Sequence, residues 1–155
     1  MTATVTTAPA TTGTVAKALQ QALVDLTDLH LQAKQAHWNI KGEGFRSLHL
    51  FLDEIVGEAR EAADEVAERL AALGGTPDGR AATVAATSSL DAVEGGDLAV
   101  ADAYAGFAER TARVAAGIKA TLDAVDAEDH LTNDLLIGIA SELEKQAWML
   151  RASLA

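Results

Sequence analysis

The chain has 155 residues and no cysteine, which excludes disulfides, zinc–thiolate and iron–sulfur sites and thiol catalysis, and fits a reducing cytosol. Its 23 Asp and Glu against 12 Lys and Arg give a formal charge of −11, a balance that opposes adhesion to phosphate backbones and favours attraction of cations. The length suits one domain with a real core, and no run of about 18 apolar residues exists to span a membrane.

Residues 1–14 form a Thr/Ala-rich tail without Lys or Arg, lacking both the basic start and the leucine-rich core of a secretion signal, and residues 15–155 form the folded domain. A first helix is predicted from Val15 to Ile40, with Leu19, Leu23, Leu26, His30, Ala33 and His37 tracing one inward stripe at spacings of three and four. His30 reads as a core residue of that stripe. Gly42 and Gly44 then break the helix and allow a tight turn. A second helix runs from Phe45 to Leu73, burying Phe45, Leu48, Leu52, Val56, Ala59, Ala63, Val66 and Leu70. It stops at Leu73-Gly74-Gly75-Thr76-Pro77, glycine first and proline after.

Arg80 to Gly96 is a long connection carrying a short helix near Ala81–Ala86. Asp97 is a candidate N-cap for a third helix reaching Val125, and Asp126-Ala127-Glu128-Asp129 leads into a fourth from Leu131 to Ser153. Four long helices with the extended connection between the second and third make an all-α fold, in which those two helices run parallel as in ferritin-like four-helix bundles.

The chemistry lies between His37 and Glu68. His49 and Asp53 are four residues apart, as are Asp64 and Glu68, so each pair shares one helix face, as metal coordination requires. His49 and Glu68 lie roughly 28 Å apart along the helix, too far to share an ion. Each pair is therefore half a site. An antiparallel copy of the same helix, crossing near Gly57 and Ala59, brings His49 and Asp53 against the partner's acidic pair and makes two identical sites. The Gly42–Gly44 turn folds His37 back beside His49. Mixed nitrogen and oxygen donors without sulfur suit Fe(II), Mn(II) or Zn(II). Either carboxylate pair alone would be an ordinary solvated helix face; the joint set makes the case.

The same residues carry a resemblance. Lys34-Gln35-Ala36-His37-Trp38-Asn39, then Gly42, Phe45, Leu48-His49, Leu52-Asp53, Asp64, Ala67-Glu68-Arg69 and Leu73-Gly74-Gly75 resemble the Dps-type mini-ferritins, the starved-cell DNA-binding proteins of bacteria. The likeness extends to Thr132-Asn133-Asp134-Leu135-Leu136, Glu144-Lys145 and Trp148-Met149-Leu150, nearly the whole chain after the tail. It implies His37, His49 and Asp53 as one subunit's ferroxidase ligands, with Asp64 and Glu68 donated by the two-fold mate. It also implies a homododecameric shell in the bacterial cytoplasm that oxidises Fe(II), hydrogen peroxide being the preferred oxidant over oxygen, and stores the ferric mineral inside. Zn(II) or Mn(II) would fit the same ligands.

Two further assignments follow from the resemblance. Trp38 is either a radical trap or a packed interface aromatic. Asp126, Asp129 and Asp134 lie where the family places acidic iron-entry channels, with capping or plain solvation as the alternative for each; Asp129 is also suited to N-cap the fourth helix. Direct DNA binding is expected to be weak or absent: members that condense DNA use Lys/Arg-rich tails, and here the first basic residue is Lys17. A nucleoid-compacting protein with little ferroxidase activity is the alternative reading, and a passive metal buffer a third. A 24-subunit ferritin is disfavoured because neither Glu142 nor Glu144 has a histidine three residues later.

Overall fold

The computed structural model describes residues 13–154, so the tail expected over 1–14 lies, for residues 1–12, outside the described residues. The elements in order are α1 (Gly13–Asn39), β1 (Ile40–Lys41), α2 (Phe45–Ala72), α3 (Ala81–Thr87), β2 (Leu98–Ala99), α4 (Val100–Lys119), α5 (Leu122–Asp126) and α6 (His130–Ala152). The fold is the expected ferritin-like bundle. Helices α1 and α2 pack as one hairpin and α4 and α6 as a second, with α1 also against α4.

Apolar spacing builds the core. Leu19, Leu26 and Leu29 of α1 and Leu48, Leu52 and Ile55 of α2 are fully enclosed, together with Phe107 of α4 and Leu136 and Leu150 of α6. Truncating any of these leucines to alanine would cost about 2–5 kcal/mol. The stripes differ from expectation at three positions. Leu29, not His30, takes the inner position of α1, and His30 is half-buried at its flank. Ile55 is enclosed where Val56 was expected, and Phe45 is exposed at the start of α2. A period of 3.6 allows i+3 or i+4 at each step, and packing against α1 selects between them. Ala59 faces its own core, whereas Gly57 is exposed with open space around it, so of the two expected crossing residues only Gly57 lies on the outer side.

Helix α2 ends in a Schellman motif, Gly75 N–H donating to Leu70 O and Gly74 N–H to Ala71 O, both at 2.9 Å. Gly74 takes φ 82°, and a Cβ on Gly75 would stand 2.4 Å from Leu70 Cδ1, so the paired glycines meet separate demands.

Two boundaries are corrected. The third helix ends at Lys119 rather than Val125, because the Thr121 N–H and hydroxyl both donate to Ile118 O, at 3.0 and 2.8 Å, the carbonyl a continuing helix would offer to residue 122. Asp97 does not cap α4. Its carboxylate takes the Lys41 ammonium at 2.6 Å, and Ala99 stands at the cap position without a side-chain bond. The cause is a feature with no periodicity to betray it: Ile40 and Lys41 pair in parallel with Leu98 and Ala99, tying the end of the crossover to the α1–α2 turn.

The crossover is otherwise held by a polar ladder on α1. Gln20 exchanges two hydrogen bonds with the Asp78 backbone (2.8 and 2.9 Å). Asp25, 4% exposed, accepts from Ser89 N and Oγ (2.8 and 3.0 Å). Asp28 accepts from the Ser88 hydroxyl, and Gln32 Oε1 accepts from Val93 N and Arg110 Nε, each at 2.9 Å. These partners satisfy groups that burial would otherwise penalise.

Candidate metal centre

The α1–α2 hairpin places its chemistry at the turn. Gly44, at φ 77°, lets the chain reverse between α1 and α2, which sets His37 on the last turn of α1 beside His49 on the first turns of α2. Their rings stack with centroids 3.6 Å apart and planes 19° from parallel, and Phe45 stacks on the far side of His49 at 4.9 Å. His37 Nδ1 donates to the backbone oxygen of His49 at 2.7 Å, and His49 Nδ1 donates to that of His37 at 2.9 Å. A carbonyl can only accept, so each Nδ1 carries a proton, and in the neutral imidazole each Nε2 keeps its lone pair. This is how metal-ligating histidines have tautomer and ring orientation fixed.

Asp53 joins them from one turn further along α2, its Oδ1 lying 3.4 Å from His37 Nδ1. The Lys34 ammonium hydrogen-bonds the same oxygen. That bond outweighs partial burial and holds the Asp53 carboxyl below the usual range, so it is ionised at neutral pH. The result is two imidazoles and one carboxylate, with the Lys34 ammonium paired to the carboxylate.

Asp64 and Glu68 are both exposed further along α2. Among the described residues, no three His, Asp or Glu side chains of the single chain converge on one point in a metal-holding arrangement. The structure brings His37 against His49 and Asp53 near His37, short of convergence on one point, and leaves the acidic pair apart. Trp38, beside His37, is 67% exposed.

Near the start of α6 the three candidate channel acids have different surroundings. Asp129 caps the helix, accepting from Leu131 N at 3.2 Å, and is bound by Thr132 Oγ1 (2.6 Å) and Arg69 Nη2 (2.7 Å). Burial opposes its ionisation, but the bonds from Thr132 and Arg69 prevail and its pKa lies below the ordinary value. Asp126 accepts from His130 Nδ1 at 2.8 Å and Asn133 Nδ2 at 3.0 Å. Asp134 is exposed and borders the groove between α2 and α6.

Sequence reasoning missed the positions of Lys34 and Phe45 in the site. Lys34 lies one turn before His37, a spacing that signals a shared face. Phe45 carried no such signal, because a residue at a helix start is as readily core as cover.

The ferritin-like domain family matches residues 16–155. "DNA protection during starvation protein 1" of Deinococcus radiodurans is 37% identical over 90% of this chain, which spans 68% of that protein. The "DNA protection during starvation protein" of Agrobacterium fabrum is 35% identical over 90% of this chain and 86% of its own length. Among solved structures, a Deinococcus radiodurans Dps superposes with a TM-score of 0.88 at 36% identity, covering 90% of this chain and 84% of that one. Mycobacterium smegmatis Dps gives 0.86 at 35%, covering 90% and 85%. With the fold, the helix-turn histidine pair and relatives of this similarity in agreement, the chain belongs to the Dps proteins of the ferritin-like family.

Proposed function

We propose that this protein detoxifies and stores iron, oxidising Fe(II) with hydrogen peroxide in preference to oxygen at centres shared between two-fold mates. The observation that carries this reading is the reciprocal histidine pair, whose Nδ1 bonds leave Nε2 of each neutral ring for a metal, with an ionised Asp53 3.4 Å from His37 Nδ1. Neutral imidazole and carboxylate without sulfur suit Fe(II), the substrate, and also accept Zn(II) or Mn(II). The half-site needs acidic donors from elsewhere, and exposed Asp64 and Glu68 on the same helix supply them in an antiparallel dimer.

Two Fe(II) and one hydrogen peroxide, with two protons, give two Fe(III) and two waters, so both oxidising equivalents are consumed without releasing hydroxyl radical. Fe(II) would enter a hollow homododecamer in the bacterial cytoplasm by acidic channels near Asp126, Asp129 and Asp134, and the ferric product would collect inside. Protection of DNA, the role in the relatives' names, then follows from removing iron and peroxide. A charge of −11 per chain weighs against nucleoid compaction by direct contact. Trp38, exposed beside a ligand, suits either a radical trap or an interface aromatic.

The test is anaerobic loading with Fe(II), then peroxide, following ferric absorbance in wild type and an Asp64→Ala/Glu68→Ala variant. Rapid formation of soluble, protein-retained ferric mineral in wild type alone supports the reading. Oxidation at the protein-free rate in both would overturn it and favour a metal buffer.

A further inference from the structure

Of the two stacked histidines only one is enclosed. His37 is 7% exposed, so its surroundings hold it, whereas His49 is half-buried. The reciprocal bonds to backbone oxygens fix one corner of each ring. They leave the plane of the His49 ring undetermined, because the torsion that turns an imidazole is broad and a carbonyl accepts over a wide range of directions. His37 closes one face of that ring, with centroids 3.6 Å apart. The other face needs a second wall.

Phe45 is that wall. Its ring lies 4.9 Å from that of His49 with planes 27° apart, one turn earlier on α2. The Phe45 N–H donates to Gly42 O at 3.2 Å, so the turn that folds His37 back also sets the root of the phenylalanine. Core packing does not account for its place. Phe45 is 43% exposed and stands outside the apolar cluster that the rest of its stripe on α2 joins. A large ring left so far in solvent forgoes much of the burial that ordinarily places an aromatic side chain. Its partner is the imidazole.

We propose that Phe45 is a positioning residue of the histidine centre: its ring clamps the His49 imidazole against His37 and so aims Nε2 of His49 along the direction a metal ion requires. The proposal rests on the reading of His49 as a ligand. Phe45 itself touches neither metal nor oxidant and acts through His49 alone. A stacked aromatic pair favours one arrangement by about two- to twelvefold, so loss of the clamp weakens the centre without abolishing it.

The test uses the full chain with isotope-labelled histidine, free of metal and in mildly alkaline buffer, where an unperturbed imidazole is neutral. Magic-angle-spinning NMR reads ring orientation and tautomer, and the signal lost in His49→Ala identifies His49 among the four histidines. Wild type should give a single His49 signal with the proton on Nδ1. Phe45→Leu, apolar but without a flat face, should broaden or split that signal by admitting other ring orientations and the second tautomer. Phe45→Tyr should restore it. Phe45→Met replaces Phe45→Leu if the latter fails to give folded, correctly sized protein by circular dichroism and size exclusion. Zn(II) binding by calorimetry should weaken about tenfold in Phe45→Leu, as loss of an outer-shell partner typically does, and not in Phe45→Tyr. An unchanged His49 signal in Phe45→Leu overturns the proposal, as does unchanged Zn(II) affinity there when His49→Ala weakens it. Equal Zn(II) binding in wild type and His49→Ala overturns the reading of the centre itself, a separate failure because the NMR signals are read without metal.

Discussion

At the start of α2, His49 is held by a backbone carbonyl, a stacked histidine and a stacked phenylalanine. Further along the same helix, the side chains of Asp64 and Glu68 make no hydrogen bond or ion pair with any other described residue. One half of the proposed centre is set before any metal arrives, and the other is free. The difference teaches where precision is needed. Imidazole ligands must present one nitrogen along one direction, so their tautomer and ring plane must be fixed in advance. Carboxylates offer two oxygens over a wide range of angles and can be supplied by a mate without prior restraint.

The largest expected effect divides the two halves between chains. His49→Ala alone and Asp64→Ala/Glu68→Ala alone should each lower peroxide-driven iron oxidation by about 100-fold or more, at or beyond the upper end of what outer-shell losses cost. Refolding the two variants together in equal amounts should restore roughly a quarter of the sites, since each isologous interface can then pair an intact histidine half with an intact acidic half. No recovery in the mixture, with proper assembly, would place both halves in one chain.

Lys34→Met sharpens the comparison from the histidine side. Without the ammonium, Asp53 loses the main cause of its low pKa, and the ion no longer has to displace a lysine. Zn(II) binding measured by calorimetry should tighten near neutral pH and fall off at a higher pH than in wild type as the medium is acidified. Unchanged binding would show that Lys34 has no part in controlling the site.

A smaller effect concerns stability. Asp129→Ala removes the α6 cap and the Arg69 ion pair and should cost about 1–2 kcal/mol, read as a lower thermal midpoint. The sign with pH is definite. The folded pKa of Asp129 lies below 3.8, so its contribution is present above that value and is lost as pH falls through the folded pKa. The wild-type advantage over the variant should therefore shrink only in strong acid. The smallest effect has the opposite sign. Asp126 raises the pKa of His130 above 6.5, so that pair contributes below 6.5 and fades as pH rises through the folded value. Its amplitude, followed by the His130 imidazole resonances, should be lost in Asp126→Asn.

Much of this architecture was legible from local pattern. The helix stops at Gly74 and Gly75, the long crossover and the Asp129 cap each follow from residues close in sequence. The His37–His49 approach was legible because a short glycine turn leaves little freedom between them. What escaped depends on distant partners. Asp97 reads as a cap locally, and only the pairing of Ile40 with Leu98 gives its carboxylate another use. The ladder from Gln20 to Gln32 carries helical spacing, yet nothing local says that a crossover lies on it. Glu58 and Gln146 come from two helices, and their contact follows from packing alone.

The short parallel pairing of Ile40–Lys41 with Leu98–Ala99 bears on the order in which the molecule is completed. It joins chain segments far apart in sequence, so it can close only after α2 and the whole crossover are in place. The α1–α2 hairpin can form early from local contacts, but the turn between its two histidines is clasped late. Amide exchange at residues 40, 41, 98 and 99 should then rise and fall together. A lesion anywhere along the crossover would loosen the histidine turn without touching a proposed ligand, so the proposed metal centre would report on whether the rest of the chain has finished folding.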